Sequence, residues 1–549
     1  MIKTNNTKHL TESDYLMPKL PDFRRYLVDI DSLTTHQQST DYLVIGAGIA
    51  GLRAAIEASH NGVVTLITKG TVEDSNTWHA QGGIASVLDK TDSFDSHVAD
   101  TLRTGCGLCD DKVVDLVVRQ GPGLIRQLLD WGVAFDMTDG SIATTLEGGH
   151  SHARIAHAHG DETGKIIAQT LIAKARQQRN IKIIENLFTI DLLTMDNKCL
   201  GVIGWHKEKG TQIIWAANTI LATGGAGQLY RETTNPSCAT ADGLAIAYRA
   251  GAVLQDLEFV QFHPTTLYIA GASRALITET LRGEGAVLRD IKGRAFMKDY
   301  NPAAELAPRD IVSRAILEQM LKTKSTHVYL DIRHFDKQHF TKRFPVISEL
   351  CESFDIDISK DLIPVRPSAH YMVGGVKTDI GAKTSIENLY ACGEVSSTGL
   401  HGANRLGSNS LLEGLVFGRI AGQTPVGSAD RSSQPVIKYE IPHSSRSHLD
   451  TADVRNSLRA LMWRNVEINR KSPELKQAID QIRFWQRYVM DKQFDNPQGW
   501  ELQNMLTVCL LIAQSALARK ESRGVHSRND YPDTDDEHFK KHTEINRTD

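Results

Sequence analysis

Cysteine is scarce: seven Cys among 549 residues, an odd number that cannot close a disulfide scaffold. No charge dominates either. Lys and Arg number 62 against 66 Asp and Glu, a formal net charge of −4, so the basic footprint of a dedicated nucleic-acid binder is missing. With 41% apolar and 23% charged residues, the chain is too apolar and too weakly charged to be globally disordered. Residues 1–20 lack the apolar stretch of a secretory signal and carry acids among few bases, unlike an organellar transit peptide. The most apolar run near the C-terminus, Leu502–Ala518, is interrupted by Gln503, Asn504, Thr507, Gln514 and Ser515. A membrane span needs about 20 mostly apolar residues, so this run reads as a buried helix. A reducing cytoplasm is the expected location. Internal repeats are absent. Cys106 and Cys109 form the only close Cys pair, and no second pair or nearby His completes a four-ligand site.

Glycine is what the chain has, 42 residues of it. Asp41–Ile45 reads as a buried parallel strand, and Gly46-Ala47-Gly48-Ile49-Ala50-Gly51 follows at once. Leu52–Ser59 is helical in character and Val63–Thr68 is a second strand, so the glycines sit at the first turn of a βαβ unit. Gly46 permits the tight turn, Gly48 the close approach of a pyrophosphate, and Gly51 the packing of helix on sheet. A plain NAD site would end the second strand on a carboxylate, but Thr68-Lys69 stands there. Three further features favour a flavin. Asn76-Thr77-Trp78-His79-Ala80-Gln81-Gly82-Gly83 is small, polar and glycine-rich; Glu394 follows Gly393 at a strand end; Gly407–Leu411, with Ser410 and Leu411, can present backbone N–H groups to a flat ring.

The strand-like runs Thr219–Gly225 and Leu389–Glu394 also end in glycine but lie far apart, so the nucleotide domain is expected to be split by an insert. Arg282, Arg309 and Arg405 lie in Gly- or Pro-rich contexts, and His263 and His370 stand at the two edges of that insert. Taken singly, these are ordinary ion-pair arginines and structural histidines. Together they describe a cationic pocket for a small dicarboxylate, since Arg recognises carboxylates through two parallel bonds.

The phrases GAGIAG, HAQGG, QFHPT, LRGEG, APRD, HYMVGG, YACGE and HGANRLGSNSLLEG, in this order over residues 41–420, resemble the flavoproteins of the succinate dehydrogenase/fumarate reductase group. The resemblance implies an α/β fold: a Rossmann-like FAD-binding domain with an inserted α+β capping domain and a C-terminal helical bundle. The expected layout is an N-terminal arm at 1–40, loose or surface-packed. The FAD-binding domain takes 41–262 and 372–430, and the capping domain 263–371. A three-helix domain at 431–525 and a disordered tail at 526–549 complete it. FAD would be held by the phrases above together with Lys69 and Asp242. His263, Thr278, His370 and Arg405 match dicarboxylate-binding positions, and Arg309 the proton-transfer Arg, supported by Glu279 and Arg282. Arg309 can donate a proton to fumarate; with a pKa above about 12 it is a poor base, so in an oxidation it would mainly orient substrate.

Two features discriminate within the group. Members with covalent flavin carry a His five positions before the Gln of AQGG; Asn76 stands there and His79 is out of register, so the FAD is expected to be non-covalent. Glu147-Gly-Gly-His150-Ser-His152-Ala-Arg154 resembles the phrase of the members that oxidise L-aspartate, where the Glu meets the α-ammonium. The spacing of His150, His152, His157 and His159 is also compatible with a metal, but the resemblance implies none. The expectation is FAD-dependent oxidation of L-aspartate to iminoaspartate, with oxygen or fumarate as acceptor. In the family, iminoaspartate feeds quinolinate synthase and hence NAD biosynthesis. A fumarate reductase or succinate dehydrogenase flavoprotein subunit is one alternative, and a non-catalytic flavin-binding module with docking helices is another.

Overall fold

The computed structural model describes residues 24–270, 274–426, 434–442 and 449–547. Along the chain come β1 (His36–Ile45), α1 (Ile49–Ala58), β2 (Val64–Ile67), α2 (Thr163–Gln177), β3 (Ile181–Ile184), β4 (Leu187–Met195), β5 (Lys198–His206), β6 (Gly210–Leu221) and α3 (Asp242–Arg249). Next are β7 (Leu254–Gln255), β8 (Val260–Leu267), β9 (Val287–Arg289), α4 (Arg309–Thr323), β10 (Val328–Asp331), β11 (Ile363–Met372), β12 (Leu389–Ala391) and α5 (Asn409–Gly422). The C-terminal part holds α6 (Thr451–Asn465), α7 (Ser472–Val489), α8 (Pro497–Ala518) and β13 (Glu544–Ile545).

The central sheet runs β4-β5-β6-β1-β2-β3, with β12 beside the last residues of β6. β6, β1, β2, β3 and β12 are parallel, while β4–β5–β6 is an antiparallel meander. Tyr42–Ile45 and all of β2 are buried, as expected of parallel strands covered on both faces. The carboxyl ends of β1, β2, β6 and β12 share one edge, where α/β sheets bind ligands. Residues 267–365 carry a core of their own, built on the antiparallel sheet β8-β11-β10-β9. α8 is long and apolar enough to cross a membrane, yet it lies buried in the core among α6, α7 and α3.

Two expectations are corrected. Residues 1–23 lie outside the described residues, but the rest of the N-terminal arm is embedded rather than loose. Tyr26, Leu27, Val28 and Ile30 are buried with Phe188, Trp215 and Trp500, and β1 begins at the polar residue His36 because its backbone pairs with Gln212–Ala216. The tail after residue 526 is ordered as far as 547. β13 pairs with β7, and Arg519 donates to the carbonyls of Phe539 and Lys541. His542 meets Asp256 at 2.6 Å. The tail lacks apolar periodicity because buried ion pairs and backbone bonds hold it, and their partners lie far away in sequence.

Candidate active site

The glycine turn after β1 is fixed by sterics. Gly46 has φ +109°, and a Cβ there would lie 2.2 Å from the Ala222 carbonyl oxygen; a Cβ on Gly51 would lie 1.9 Å from the Gly46 oxygen. Gly48, by contrast, has nothing closer than Thr77 Oγ1 at 3.4 Å, so its backbone faces open space. That space is a cavity of about 1720 Å³, partly shared with solvent, along the carboxyl edge of the sheet. Gly46, Ala47, Gly48, Ile49, Ala50, Lys69, Asn76, Thr77, His79, Ala80, Gln81, Gly82, Gly83, Asp242, Glu394, Ser410 and Leu411 line it. Gly51 and Trp78 do not. Gly51 packs beneath the turn, and Trp78 packs against the core between α1 and the sheet.

The residues suit a dinucleotide flavin on three observations. α1 and α5 both open onto the cavity, and neither N-cap residue caps its helix with a side chain; Thr77 Oγ1 accepts from the Ile49 N–H at 3.0 Å, and further backbone N–H groups are left for anionic groups. Glu394, three residues past β12, has only the Asn76 amide at 2.9 Å and the Met372 N–H at 3.0 Å as donors, and burial lifts its carboxyl to about 7. Gly225 is required beside it, since a Cβ there would meet Glu394 Oε1 at 2.1 Å.

The other end of the cavity is lined by residues from six segments: Glu147, His263, Thr278, Glu279, Arg309, His370 and Arg405. Arg282 stands behind them. Glu279 bridges the two arginines, accepting from Arg309 Nε at 2.6 Å and from Arg282 Nη2 at 2.7 Å. Burial would push its carboxyl up, but the two guanidinium groups outweigh this and hold it below the usual range. Arg405 is 6% exposed and makes no ion pair among the described residues; its Nε is buried without a partner. It lies 4.2 Å over the Tyr371 ring. Burial and the charge of Arg309 bring it down to about 10. A buried cation without an anion is costly, and it marks a place for one.

Glu147 is 1% exposed. Its two oxygens accept from Thr280 Oγ1 at 3.0 Å and Ser408 Oγ at 2.7 Å. Ser408 adopts left-handed backbone, φ +61°, an uncommon conformation for a non-glycine residue at the mouth of α5. Burial, then the neighbouring Glu279 charge, raise the Glu147 carboxyl. At Gly407 a Cβ would lie 2.9 Å from Glu279, 3.2 Å from Arg309 Nη2 and 3.3 Å from Glu147, so the three charged groups converge there. His263 and His370 meet edge to face, ring centroids 5.0 Å apart. Burial holds both well below their ordinary pKa, helped by Arg309 at His263 and Arg405 at His370. Thr234 Oγ1 is 2.8 Å from His370 Nδ1. A neutral His370 that accepts there carries its proton on Nε2.

Sequence reasoning missed the supports. Gln261 accepts from Arg309 and donates to the Arg405 carbonyl oxygen and to Asn404. Glu413 meets Tyr371, His401 and Thr398 at 3.2, 3.0 and 2.6 Å, and so steadies the ring under Arg405. Gln261 lies inside the QFHPT phrase and Glu413 inside HGANRLGSNSLLEG, but only tertiary contact shows what they hold. His150 bonds the Gly407 carbonyl oxygen and His157 bonds Thr145, whereas His152 is half-buried and His159 exposed. Among the described residues, no group of three or more His, Cys, Asp or Glu could hold a metal ion. Burial pushes the thiols of Cys106 and Cys109 up to about 11 and about 12, away from thiolate reactivity.

Comparison with known proteins places this geometry in context. The profile described as FAD binding domain matches residues 41–411, and the one described as fumarate reductase flavoprotein C-term matches 455–549. The chain is 39% identical to L-aspartate oxidase of Streptomyces coelicolor, over 92% of this chain and 91% of that protein. It is 40% identical to L-aspartate oxidase of Yersinia pestis, covering 91% and 97%. A solved structure of a mutant E. coli quinol fumarate reductase superposes with a TM-score of 0.86 at 34% identity, covering 93% of this chain and 95% of that one.

Proposed function

Because the chain belongs to the family of FAD-binding flavoproteins that includes fumarate reductases and L-aspartate oxidases, we infer that it oxidises L-aspartate to iminoaspartate. One observation carries the choice of substrate. Buried Glu147 faces the same small space as Arg309 and Arg405, so the cavity offers a carboxylate for an ammonium beside cations for two carboxylates. Succinate would leave Glu147 without its partner.

FAD, held non-covalently, supplies the acceptor for the hydride leaving the α-carbon. Gly46–Ala50, Asn76, Thr77, His79–Gly83, Glu394, Ser410 and Leu411 would hold it. Arg405 and Nε2–H of His370 bind one carboxylate, and His263 and Thr278 bind the other. Arg309, aimed by Glu279 and Gln261, orients the substrate during oxidation. When fumarate is the acceptor, Arg309 donates the proton, and Glu279 with Arg282 returns one to it. Glu147 must be ionised to meet the ammonium, and the ammonium's charge opposes the upward push that burial and Glu279 exert on its carboxyl. The segment 267–365, with its own core, closes one side of the cavity and excludes water.

Oxygen or fumarate takes the electrons, and iminoaspartate feeds NAD biosynthesis, passing to quinolinate synthase. We place the enzyme in the cytoplasm. The test is aspartate-dependent peroxide formation with succinate as control substrate. The expected result is turnover with aspartate and none with succinate; the reverse would favour a succinate-oxidising subunit. After acid precipitation the yellow colour is expected in the supernatant, because Asn76 cannot make the covalent bond a His would.

A further inference from the structure

The sequence gives the three C-terminal helices no role, yet one of them braces two residues of the cofactor cavity from behind. At the end of β2, where a dinucleotide site places its ribose, Lys69 Nζ donates to Thr240 Oγ1 at 2.6 Å, Asp242 Oδ2 at 2.7 Å and Glu501 Oε1 at 2.7 Å. An ammonium has three N–H bonds, and all three are used. Lys69 therefore offers the cofactor its aliphatic stem and acts as a brace for Asp242. The other Asp242 oxygen accepts from Asn504 Nδ2 at 2.7 Å. Glu501 and Asn504 are three positions apart on α8, so they share one face.

Each of these two is anchored further out. Glu501 Oε2 accepts from Arg455 of α6 at 2.9 Å. Asn504 Oδ1 accepts from Arg249 at 2.7 Å, and Arg249 pairs with Asp191 of β4 at 2.7 Å. Asn504 is fully buried and Arg249 is 1% exposed. Lys69 and Arg455 balance Asp242 and Glu501, so the cluster is neutral and saturated. Asp242 Oδ2 also accepts from Thr240 Oγ1 at 2.8 Å, so the capacity left to Asp242 is on Oδ1; Asp242 lines the cavity and suits a ribose hydroxyl.

We propose that Glu501 and Asn504 are positioning residues for the adenosine end of the cofactor, acting through Asp242 and Lys69, which makes the C-terminal bundle a buttress behind the FAD site rather than a docking platform. The proposal rests on the FAD reading above and on Asp242 facing the ribose. The experiment titrates flavin-stripped protein with FAD and follows quenching of flavin fluorescence. Glu501→Gln and Asn504→Ala are each expected to raise the FAD Kd about tenfold, the scale of one charge-assisted hydrogen bond. Arg455→Gln, on the half-buried outer side, keeps the core intact and is expected to raise it about threefold. Leu510→Ala, buried on α8 away from the cluster, should lower the melting temperature and leave the Kd unchanged. Asp242→Asn separates the two failures. Weakened FAD binding in D242N with E501Q, N504A and R455Q all within twofold of the parent would overturn the role of α8. An unchanged Kd in D242N would overturn the placement of the ribose, and the proposal with it.

Discussion

The two ends of the cavity are built on different principles. The cofactor end is made chiefly of backbone: a left-handed glycine, two helix N-termini without a cap from their own N-cap side chains, and a charge cluster that closes on itself. The substrate end is made of side chains, and its charges do not close, because Arg405 has no anion. A backbone site tolerates no added volume, and a side-chain site tolerates no lost charge. The first is therefore to be broken by a methyl group and the second by removing a cation.

The largest effect is expected from the methyl group. Gly46→Ala places a Cβ 2.2 Å from the Ala222 carbonyl oxygen and forces an L-residue to φ +109°. Strain of about 1–3 kcal/mol comes from the backbone alone, and the clash adds to it. The purified protein is expected to carry under about a tenth of the parental flavin, read from its absorbance ratio. Normal flavin content would show that the turn can relax, and the contrast between the ends would weaken.

Arg405→Leu is the counterpart. Loss of a charge-assisted pair to a carboxylate in a buried site should lower kcat/KM by about a thousandfold, on the scale of ~4 kcal/mol, for aspartate and fumarate alike. Flavin content should not change. Removing an unpaired buried cation should also raise the melting temperature of substrate-free protein. A fall would mean that Arg405 is already compensated.

How legible each end was follows from the same difference. Gly46, Gly48, Asn76 and Glu394 sit in contiguous phrases at strand ends, because a backbone cradle is written locally. Arg405, His263 and Glu147 were individually ambiguous, since an Arg or Glu in a loop is usually solvated, and their meeting in one cavity is tertiary. Resemblance to the family supplied what spacing could not. Gln261 and Glu413 went unassigned because they touch residues distant in sequence. The tail was misread, and the arm left open between loose and surface-packed, because nonlocal pairing, β13 with β7 and His36–Thr40 with Gln212–Ala216, holds segments that lack an apolar pattern.

Glu147→Gln sharpens the comparison within the substrate end. About a hundredfold loss in kcat/KM is expected for aspartate, from an ammonium left without its carboxylate. Fumarate reduction, with no ammonium to meet, should change by less than about threefold. The pH profile carries the sign. Burial raises the Glu147 carboxyl, and the ionised form is the one that binds, so kcat/KM for aspartate should fall as pH drops through a value above the ordinary ~4.3. The glutamine variant should lose that limb. Equal losses with both substrates would remove Glu147 from ammonium recognition.

The smallest effect tests whether the substrate end is tuned beyond charge. His370 stays neutral beside Arg405, so it can donate to a carboxylate only from the nitrogen that carries its proton. Thr234 Oγ1 faces Nδ1 at 2.8 Å, and Asn235 Nδ2 lies 3.4 Å from the same hydroxyl as a donor. In the arrangement where the hydroxyl accepts from Asn235 and gives its own proton to Nδ1, Nε2–H is left for the substrate. Thr234→Val keeps the shape and deletes the donor. The KM for aspartate and the inhibition constant of succinate are expected to rise about tenfold together, with kcat within about twofold, as one directed hydrogen bond is lost. Thr234→Ser should restore both. If valine changes neither, the backbone pairing of Thr233 with Ala369 orients the ring without help, and the substrate end is governed by its unpaired cation alone.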